Sequence, residues 1–255
     1  MTKTLSSGGT DPGKKRTNNE DSFLVNDELL LYAVADGIGG HQGGETASRI
    51  AVETLAEVLP GLLRGDDMTP PFSLSLDMEP RISALRYAIT LANQKIFQTS
   101  SLNPSLTGMG TTITAILLWR DKGYIAHVGD SRAYRLRNGS LNQITHDHSL
   151  VAEQVRAGKI TQDQARASSH RHIITRALGI DREVEIDHLT VDIKRNDLYL
   201  LCTDGLTEMV DDKDLLPIIS ADPLAAAPAA LIKRANEQGG VDNITAVVVK
   251  ILGID

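Results

Sequence analysis

Cysteine is nearly missing from this chain of 255 residues: Cys202 stands alone, so no internal disulfide can form and a reducing compartment is favoured. Long apolar runs are missing too. The longest strictly apolar stretch, residues 29–35, is seven residues long, against the roughly 20 that a bilayer-spanning helix needs. The first nine residues carry no apolar segment of signal-peptide type, so a cytoplasmic protein without membrane contact is expected. Basic residues are outnumbered, 26 against 33, which leaves a formal net charge of −7. A general nucleic-acid binder wants a basic stripe, so that class is disfavoured. No repeat of solenoid period and no low-complexity linker divides the chain. No G-x-x-x-x-G-K-[ST] loop occurs, which excludes an ATPase built on that loop.

What is present is ordinary globular material. Hydrophobic residues make up 41%, and 21 glycines accompany them, a balance that excludes disorder, collagen and coiled coil for the chain as a whole. The length suits one large domain or two small ones; without a linker, residues 1–255 read as a single domain. Helical periodicity marks residues 43–63, with Ala47, Ile50, Ala51, Leu55, Val58 and Leu59 on one face, and residues 82–97, with Leu85, Ala88, Ile89, Ala92 and Ile96 on another. A third helix is predicted over 229–237, stopped by Gly239-Gly240, with Pro228 leaving its start open. Residues 64–80, with three prolines, read as a loop between the first two helices. Strand-like runs cover 22–25, 29–35, 111–119, 123–128, 132–137, 184–191, 198–203 and 243–251. Tight turns separate several of them, and Asn138-Gly139 is a hairpin signal. Hairpin-joined strands imply antiparallel sheets. Continuous apolar runs imply burial on both faces, hence sheets covered by helices.

The aspartates fall at the ends of these runs. Residues 29–35 lead into Asp36-Gly37, 124–128 into Gly129-Asp130, and 198–203 into Asp204-Gly205; Asp242 immediately precedes the last run. Any one Asp-Gly is also a good turn dipeptide, but four buried strands each ending on an aspartate are harder to explain as turns. If those ends share a rim, four carboxylates converge, and like charges at close range raise one another's pKa or recruit a cation. Oxygen ligands alone favour Mg²⁺ or Mn²⁺ over softer ions, and a lone cysteine offers no zinc motif. Two such ions can bridge and acidify a water, as phosphoester hydrolases do. Upstream, Lys14–Ser22 reads either as a polar loop or as a phosphate clamp. In the second reading Arg16 takes two phosphate oxygens at once, and Glu20 and Asp21 hold waters around the metals.

In order, Arg16-Thr17-Asn18-Asn19-Glu20-Asp21, Ala35-Asp36-Gly37-Ile38-Gly39-Gly40-His41, Met109-Gly110-Thr111-Thr112, His127-Val128-Gly129-Asp130-Ser131-Arg132, Cys202-Thr203-Asp204-Gly205-Leu206 and Asp242-Asn243-Ile244-Thr245 resemble the motifs of the metal-dependent protein phosphatases, the type 2C serine/threonine family, in its short bacterial form. The resemblance spans residues 16–249. It implies an α+β fold, a four-layer α/β/β/α sandwich with two central antiparallel sheets flanked by helices. It implies two Mn²⁺ or Mg²⁺ ions in the cleft and a weaker third site. Asp36, Asp204 and Asp242 resemble the ligands of the first metal. Asp36 and the Gly37 carbonyl resemble those of the second, and Asp130 with Asp204 those of the third. Arg16 matches the phosphate-binding arginine, and Glu20 and Asp21 match groups that hold metal waters. Animal members carry a histidine directly after Asp-Gly; here that position is Ile38, and His41 is either the general acid or a structural group.

The implied activity is hydrolysis of phosphoserine and phosphothreonine monoesters by a water or hydroxide bridging two metals. The expected substrates are phosphoproteins made by serine/threonine kinases, and the expected enzyme is a monomeric, free-standing signalling phosphatase. Cys202, inside an apolar run and without a Cys-x₅-Arg loop, packs rather than reacts. Residues 147–176 correspond to the flap beside the cleft, with short helices at 150–157 and 161–167, the second opened by a Thr161/Gln164 capping box. The histidine pairs His146/His148 and His170/His172 read as a solvated loop. Two rival functions use the same residues: a phosphatase of small phosphomonoesters or nucleotides, and an inactive relative that only binds.

Overall fold

Two five-stranded antiparallel sheets stack face to face in the computed structural model, which describes residues 2–39, 42–63 and 78–254. In chain order the elements begin with β1 (Lys3–Asp11), β2 (Ser22–Asn26), β3 (Leu31–Ala35), β4 (Gly37–Ile38), α1 (Gly43–Leu63) and α2 (Pro80–Leu102). Then come β5 (Gly110–Thr111), β6 (Ile113–Trp119), β7 (Lys122–Val128), β8 (Arg132–Arg137), β9 (Ser140–Gln143), α3 (Leu150–Arg156) and α4 (Gln162–Arg166). The chain finishes with β10 (Asp187–Asp192), β11 (Leu198–Cys202), α5 (Asp204–Thr207), α6 (Asp212–Ile219), α7 (Ala227–Glu237) and β12 (Ile244–Gly253). One sheet has the order β1-β12-β11-β8-β9 and the other β10-β7-β6-β3-β2.

Burial sorts these elements into four layers. Leu85, Ala88, Ile89, Ala92 and Ile96 of α2, with Ala47, Ala51 and Leu55 of α1, pack on one face of the second sheet against Leu31, Ala33, Ile113 and Ala115. Leu215 and Ile219 of α6, with Leu231 and Ala235 of α7, cover the outer face of the first sheet against Leu200, Ala246 and Val248. Between the sheets lie Tyr32, Val34, Ile116, Ile125, Tyr199, Leu201, Val247 and Val249. The alternation of odd and even residues between these clusters is the period-2 geometry of a strand buried on both faces, and it explains why β3 and β11 read as unbroken apolar runs and β6 and β7 as mostly apolar ones. The architecture is therefore the four-layer α+β sandwich. Among the described residues no helix is long and apolar enough to cross a membrane.

Local chemistry sets the boundaries. β3 begins at Leu31 rather than at residue 29 because Leu30 takes a left-handed φ of 55° after a turn in which Asn26 Oδ1 accepts from the Leu29 amide at 3.0 Å. The run 111–119 divides at Thr112, whose amide and hydroxyl are turned to Asp36 instead of continuing the ladder. Asn138 and Gly139, at φ 53° and 76°, form the β8–β9 hairpin turn that their sequence signals. α1 covers the predicted 43–63, and α2 is longer than predicted, with Pro80 in its first turn. The 184–191 run starts late, at Asp187. Five of these elements were not foreseen: β1, β4, β9, α5 and α6. Of the loop expected at 64–80, residues 64–77 lie outside the described residues.

Leu201 is fully buried between the sheets, on a strand flanked by β12 and β8. Leu201→Ala removes three buried carbons and leaves a cavity, so it should destabilise the chain by about 2–5 kcal/mol. Urea unfolding measures this, through a lower midpoint at an unchanged slope.

Candidate metal centre

Four interior strands deliver an aspartate each to one end of the sandwich. Asp36 follows β3 and Asp130 follows β7, whereas Asp204 opens α5 just past β11 and Asp242 precedes β12. Their backbones are pinned individually. Asp36 donates its amide to Thr112 Oγ1 at 2.9 Å, and its carbonyl accepts from the Thr112 amide at 2.9 Å and from Thr111 Oγ1 at 2.8 Å. Thr112 Oγ1 also contacts Ser131 Oγ at 2.7 Å, which links the turn after β3 to the turn after β7. The Thr203 amide donates to the Thr245 carbonyl at 3.2 Å, joining the β11 and β12 ends that carry Asp204 and Asp242. At Gly129 the chain leaves the second sheet for the first with φ 110°, and a Cβ there would strike Thr112; only glycine fits.

The carboxylates perturb one another strongly. Burial is the largest cause in each case and pushes Asp36, Asp130 and Asp204 up from the ordinary carboxylate range. For Asp36 the charges of Asp21, Asp204 and Asp130 add to the rise, and its carboxyl lies within hydrogen-bond reach of Asp204. Asp21, buried beneath them, is pushed up to about 7 by burial, although Thr203 and Thr245 oppose the shift by donating to its Oδ2 at 2.8 and 2.6 Å. Asp21 Oδ1, Asp130 Oδ1 and Asp204 Oδ1 are buried without a hydrogen-bond partner. Buried acceptors of one sign, crowded and unpartnered, fit hard divalent cations and little else. Among the described residues the donors are oxygens apart from one histidine: His172, Asp204 and Glu208 can bring ligand atoms within 4.8 Å of one another.

The remaining expected residues are distributed as follows. Arg16 Nη2 donates to Asp242 Oδ2 at 2.8 Å while the guanidinium stays half exposed. Glu20 is held by its backbone: its amide donates to Asn243 Oδ1 at 2.8 Å, and its carbonyl accepts from Gly37 at 3.1 Å and from Ser48 Oγ at 2.6 Å. The Gly37–Gly44 contact is so tight that a Cβ on either glycine would collide, at Gly44 with the Glu20 carboxylate. His41 lies outside the described residues. Cys202 is fully buried, and burial pushes its thiol up to about 12, the signature of a packing residue.

One expectation is corrected. His146 and His170 are exposed, as a solvated loop requires, but His148 is buried with both ring nitrogens engaged. A hydrophobic pattern gives no sign of this, because a buried histidine satisfied by backbone and carboxylate looks like any polar loop residue. His172 is half exposed but pairs with Glu208 Oε1 at 2.8 Å. Thr112, Thr203, Asn243 and Thr245 stand in the quoted motifs, but sequence reasoning gives them no role, because their partners are distant in the chain. The Thr161/Gln164 capping box is present in full, at 3.2 and 2.8 Å.

The profile of the protein phosphatase 2C family matches residues 9–247 of this chain. The serine/threonine phosphatase Stp of Listeria welshimeri is 38% identical over 245 residues, covering 94% of this chain and 93% of its own length. The protein phosphatase PhpP of Streptococcus pneumoniae is 35% identical over 248 residues, covering 95% of each chain. The catalytic domain of the serine/threonine protein phosphatase PstP, solved in complex with two manganese ions, superposes with a TM-score of 0.84 at 35% identity over 99% of this chain and all of that one.

Proton linkage follows from the crowding. Asp21 binds a proton more tightly in the folded chain, at about 7, than at its ordinary 3.8, and Asp36, Asp130 and Asp204 shift in the same direction. Between those limits the folded state holds more protons than the unfolded one, so the stability of the metal-free protein falls as pH rises from about 4 to about 7. Thermal unfolding of chelator-treated protein should show a lower Tm near pH 7.5 than near pH 5. Added Mn²⁺, which needs the deprotonated carboxylates, should reverse the trend, and Asp21→Asn should flatten it.

Proposed function

Since this chain belongs to the protein phosphatase 2C family and is a protein-serine/threonine phosphatase, we propose that its converging aspartates hold two Mn²⁺ or Mg²⁺ ions for hydrolysis of phosphoserine and phosphothreonine monoesters. The observation that carries this reading is the set of buried, unpartnered oxygens on Asp21, Asp130 and Asp204 among carboxyls whose pKa values are all raised. The two manganese ions of the similar PstP domain support the choice of metal. Asp36, Asp204 and Asp242 would hold the first cation, Asp36 and the Gly37 carbonyl the second, and Asp130 with Asp204 a weaker third. When bound, the ions would supply positive charge to the phosphoryl group and a water, shared between them, acidified enough to attack phosphorus near neutral pH.

The protein's own groups do the positioning. Arg16 uses one donor on Asp242 and keeps the rest of its fork for two oxygens of the phosphoryl group, which it orients for in-line attack. Glu20 and Asp21 sit just outside the ligand set and accept hydrogen bonds from waters there. Thr203 and Thr245 fix Asp21, so its free Oδ1 points one way only. No side chain needs to form a covalent bond to phosphorus, in keeping with a cysteine that is buried and protonated.

The segment 147–176 acts as the flap of a single catalytic domain and borders the cleft. Its His172 reaches Glu208, one helical turn beyond Asp204, so the flap lies where a phosphopeptide would enter. The substrates are phosphoproteins made by serine/threonine kinases, met in the cytoplasm by a monomeric enzyme.

Asp204→Ala should lower Mn²⁺-dependent kcat on a phosphothreonine peptide at least a hundredfold, about 3 kcal/mol of transition-state stabilisation. Near-normal turnover would remove the two-metal reading. Arg16→Ala loses a charge-assisted pair of hydrogen bonds worth about 1.5–3 kcal/mol, so KM should rise at least tenfold while kcat changes less; steady-state kinetics on the same peptide separates the two.

A further inference from the structure

The segment from His146 to Ser149 supplies none of the expected metal ligands, yet it grips the chain on both sides of Asp130. The backbone amide of His148 donates to the Gly129 carbonyl at 2.7 Å, and the Gly129 amide donates to His148 Nδ1 at 3.1 Å. One residue thus satisfies both polar groups of Gly129, the glycine held at φ 110° just before Asp130. On the other side, Asp147 takes Arg132 through Nε at 3.0 and 3.1 Å and through Nη2 at 2.7 Å. Asp130 Oδ1 has no hydrogen-bond partner and the carboxyl is tied only to its own backbone, so the clamped neighbours on either side set the direction of the turn that bears it.

The tautomer of His148 follows from its partners. A backbone N–H can only donate, so Nδ1 is the bare nitrogen and the ring proton is on Nε2. That proton points at Asp187 Oδ2, 3.1 Å away on β10. Asp187 Oδ1 in turn accepts from Arg176 Nη1 at 2.8 Å, and the His148 carbonyl accepts from the Thr175 amide at 2.8 Å. Ser149 bridges to Ile174, and the Leu150 amide donates to the Ile173 carbonyl at 2.9 Å. Both roots of the flap therefore meet at His148. The ring is buried against His127, centroids 4.8 Å apart. A residue serving only as packing there would gain nothing from two directed polar bonds, each of which leaves an orphaned group if its partner is lost.

We propose that His148 is a positioning residue that aims Asp130 by holding Gly129 and that couples this aim to the base of the flap through Asp187 and Arg176. This rests on the reading of Asp130 as a ligand of the weaker third cation. A flap shifted by a docked phosphopeptide would move Asp187 and Arg176, and with them the ring that fixes the Asp130 turn.

Two substitutions separate the two ring nitrogens. Asparagine at 148 places its Oδ1 near Nδ1 and keeps an acceptor for Gly129; glutamine reaches towards Asp187 but leaves the Gly129 amide without one. Mn²⁺ binding is counted by the loss of the free-ion EPR signal, and kinetics use a phosphothreonine peptide. His148→Gln should retain two tightly bound ions, weaken the third by about tenfold or more, and lower kcat with KM within about twofold. His148→Asn should recover most of both losses. An isotherm for His148→Gln equal to wild type, or equal losses in both variants, overturns the proposal. Should His148→Gln fail to fold, Asp187→Ala at the half-exposed end of the same chain of bonds should weaken the third ion by about threefold, and a wild-type isotherm there overturns it as well. Asp130→Asn is the control. If it leaves Mn²⁺ binding unchanged, the third-site reading itself fails; if it loses the weak ion while His148→Gln does not, only the role of His148 falls.

Discussion

Crowded negative charge, buried at one end of a sheet sandwich, is the constraint on which this molecule turns. Carboxylates so placed repel one another and lose their water, and among the described residues no lysine or arginine pairs with them directly: the guanidinium of Arg16 reaches the partly exposed Asp242, and Arg132, which eases Asp130 from a distance, is bonded to Asp147. A chain that buries Asp21, Asp36, Asp130 and Asp204 together destabilises itself unless protons or cations arrive. The rest of the fold can be understood as the scaffold that makes such an arrangement rigid enough to persist. Strands buried on both faces hold their ends with little freedom, and the aspartates sit within a residue or two of those ends.

Rigidity comes from cross-links between the strand ends as much as from the cores. Thr112 joins the Asp36 turn to Ser131. Thr203 and Thr245 join β11 to β12 and both hold Asp21. Asn243 gathers the loop before β2 through the Pro12 and Asn18 carbonyls and the Glu20 amide. Short hydroxyl and amide side chains suit this work because few rotatable bonds separate them from the backbone, so little entropy opposes each bond. Their effect is to convert a set of like charges into a fixed cage.

Much of this was legible in the sequence, for identifiable reasons. β3 and β11 are apolar without interruption and β7 and β12 nearly so, and each adjoins an aspartate, so strand and candidate ligand were visible together. α1 and α2 carry clean 3.6-residue stripes. By contrast, β1 reads Lys-Thr-Leu-Ser-Ser-Gly-Gly-Thr-Asp, with no apolar run and two glycines. It is a strand because β12 pairs with it along nine residues, and because Gly8 makes room for the Phe23 ring and Gly9 for Ile232. Tertiary context overrides propensity there. α6 is only eight residues long with Pro217 inside it, and β9 is a four-residue edge strand; neither offers enough periods to detect. The site behaves likewise: ligand candidates stood out by position, whereas Thr203, Thr245, Asn243 and His148 act through partners whose proximity only the folded chain creates.

The turn between β7 and β8 is where these threads meet. It carries the chain from one sheet to the other, it bears Asp130, and it is the one candidate ligand position whose neighbours are clamped by the segment that opens the flap. Asp36, Asp204 and Asp242 are anchored on strands of the sandwich and gain their stiffness from its cores. Asp130 is stiffened from outside, by His148 and by Asp147 on Arg132, and those residues are continuous with α3, which is mostly half-buried, and with α4, which is exposed apart from Ala165. A site built in this way has a rigid part and a part that responds. On the proposed reading, the rigid part would suit two ions that have to stay in register for attack, because a displacement of a fraction of an ångström there costs rate. The responsive part suits a weaker ion whose occupancy can depend on what the flap touches, and it places that dependence at the mouth of the cleft rather than in the core, where movement would disturb close packing.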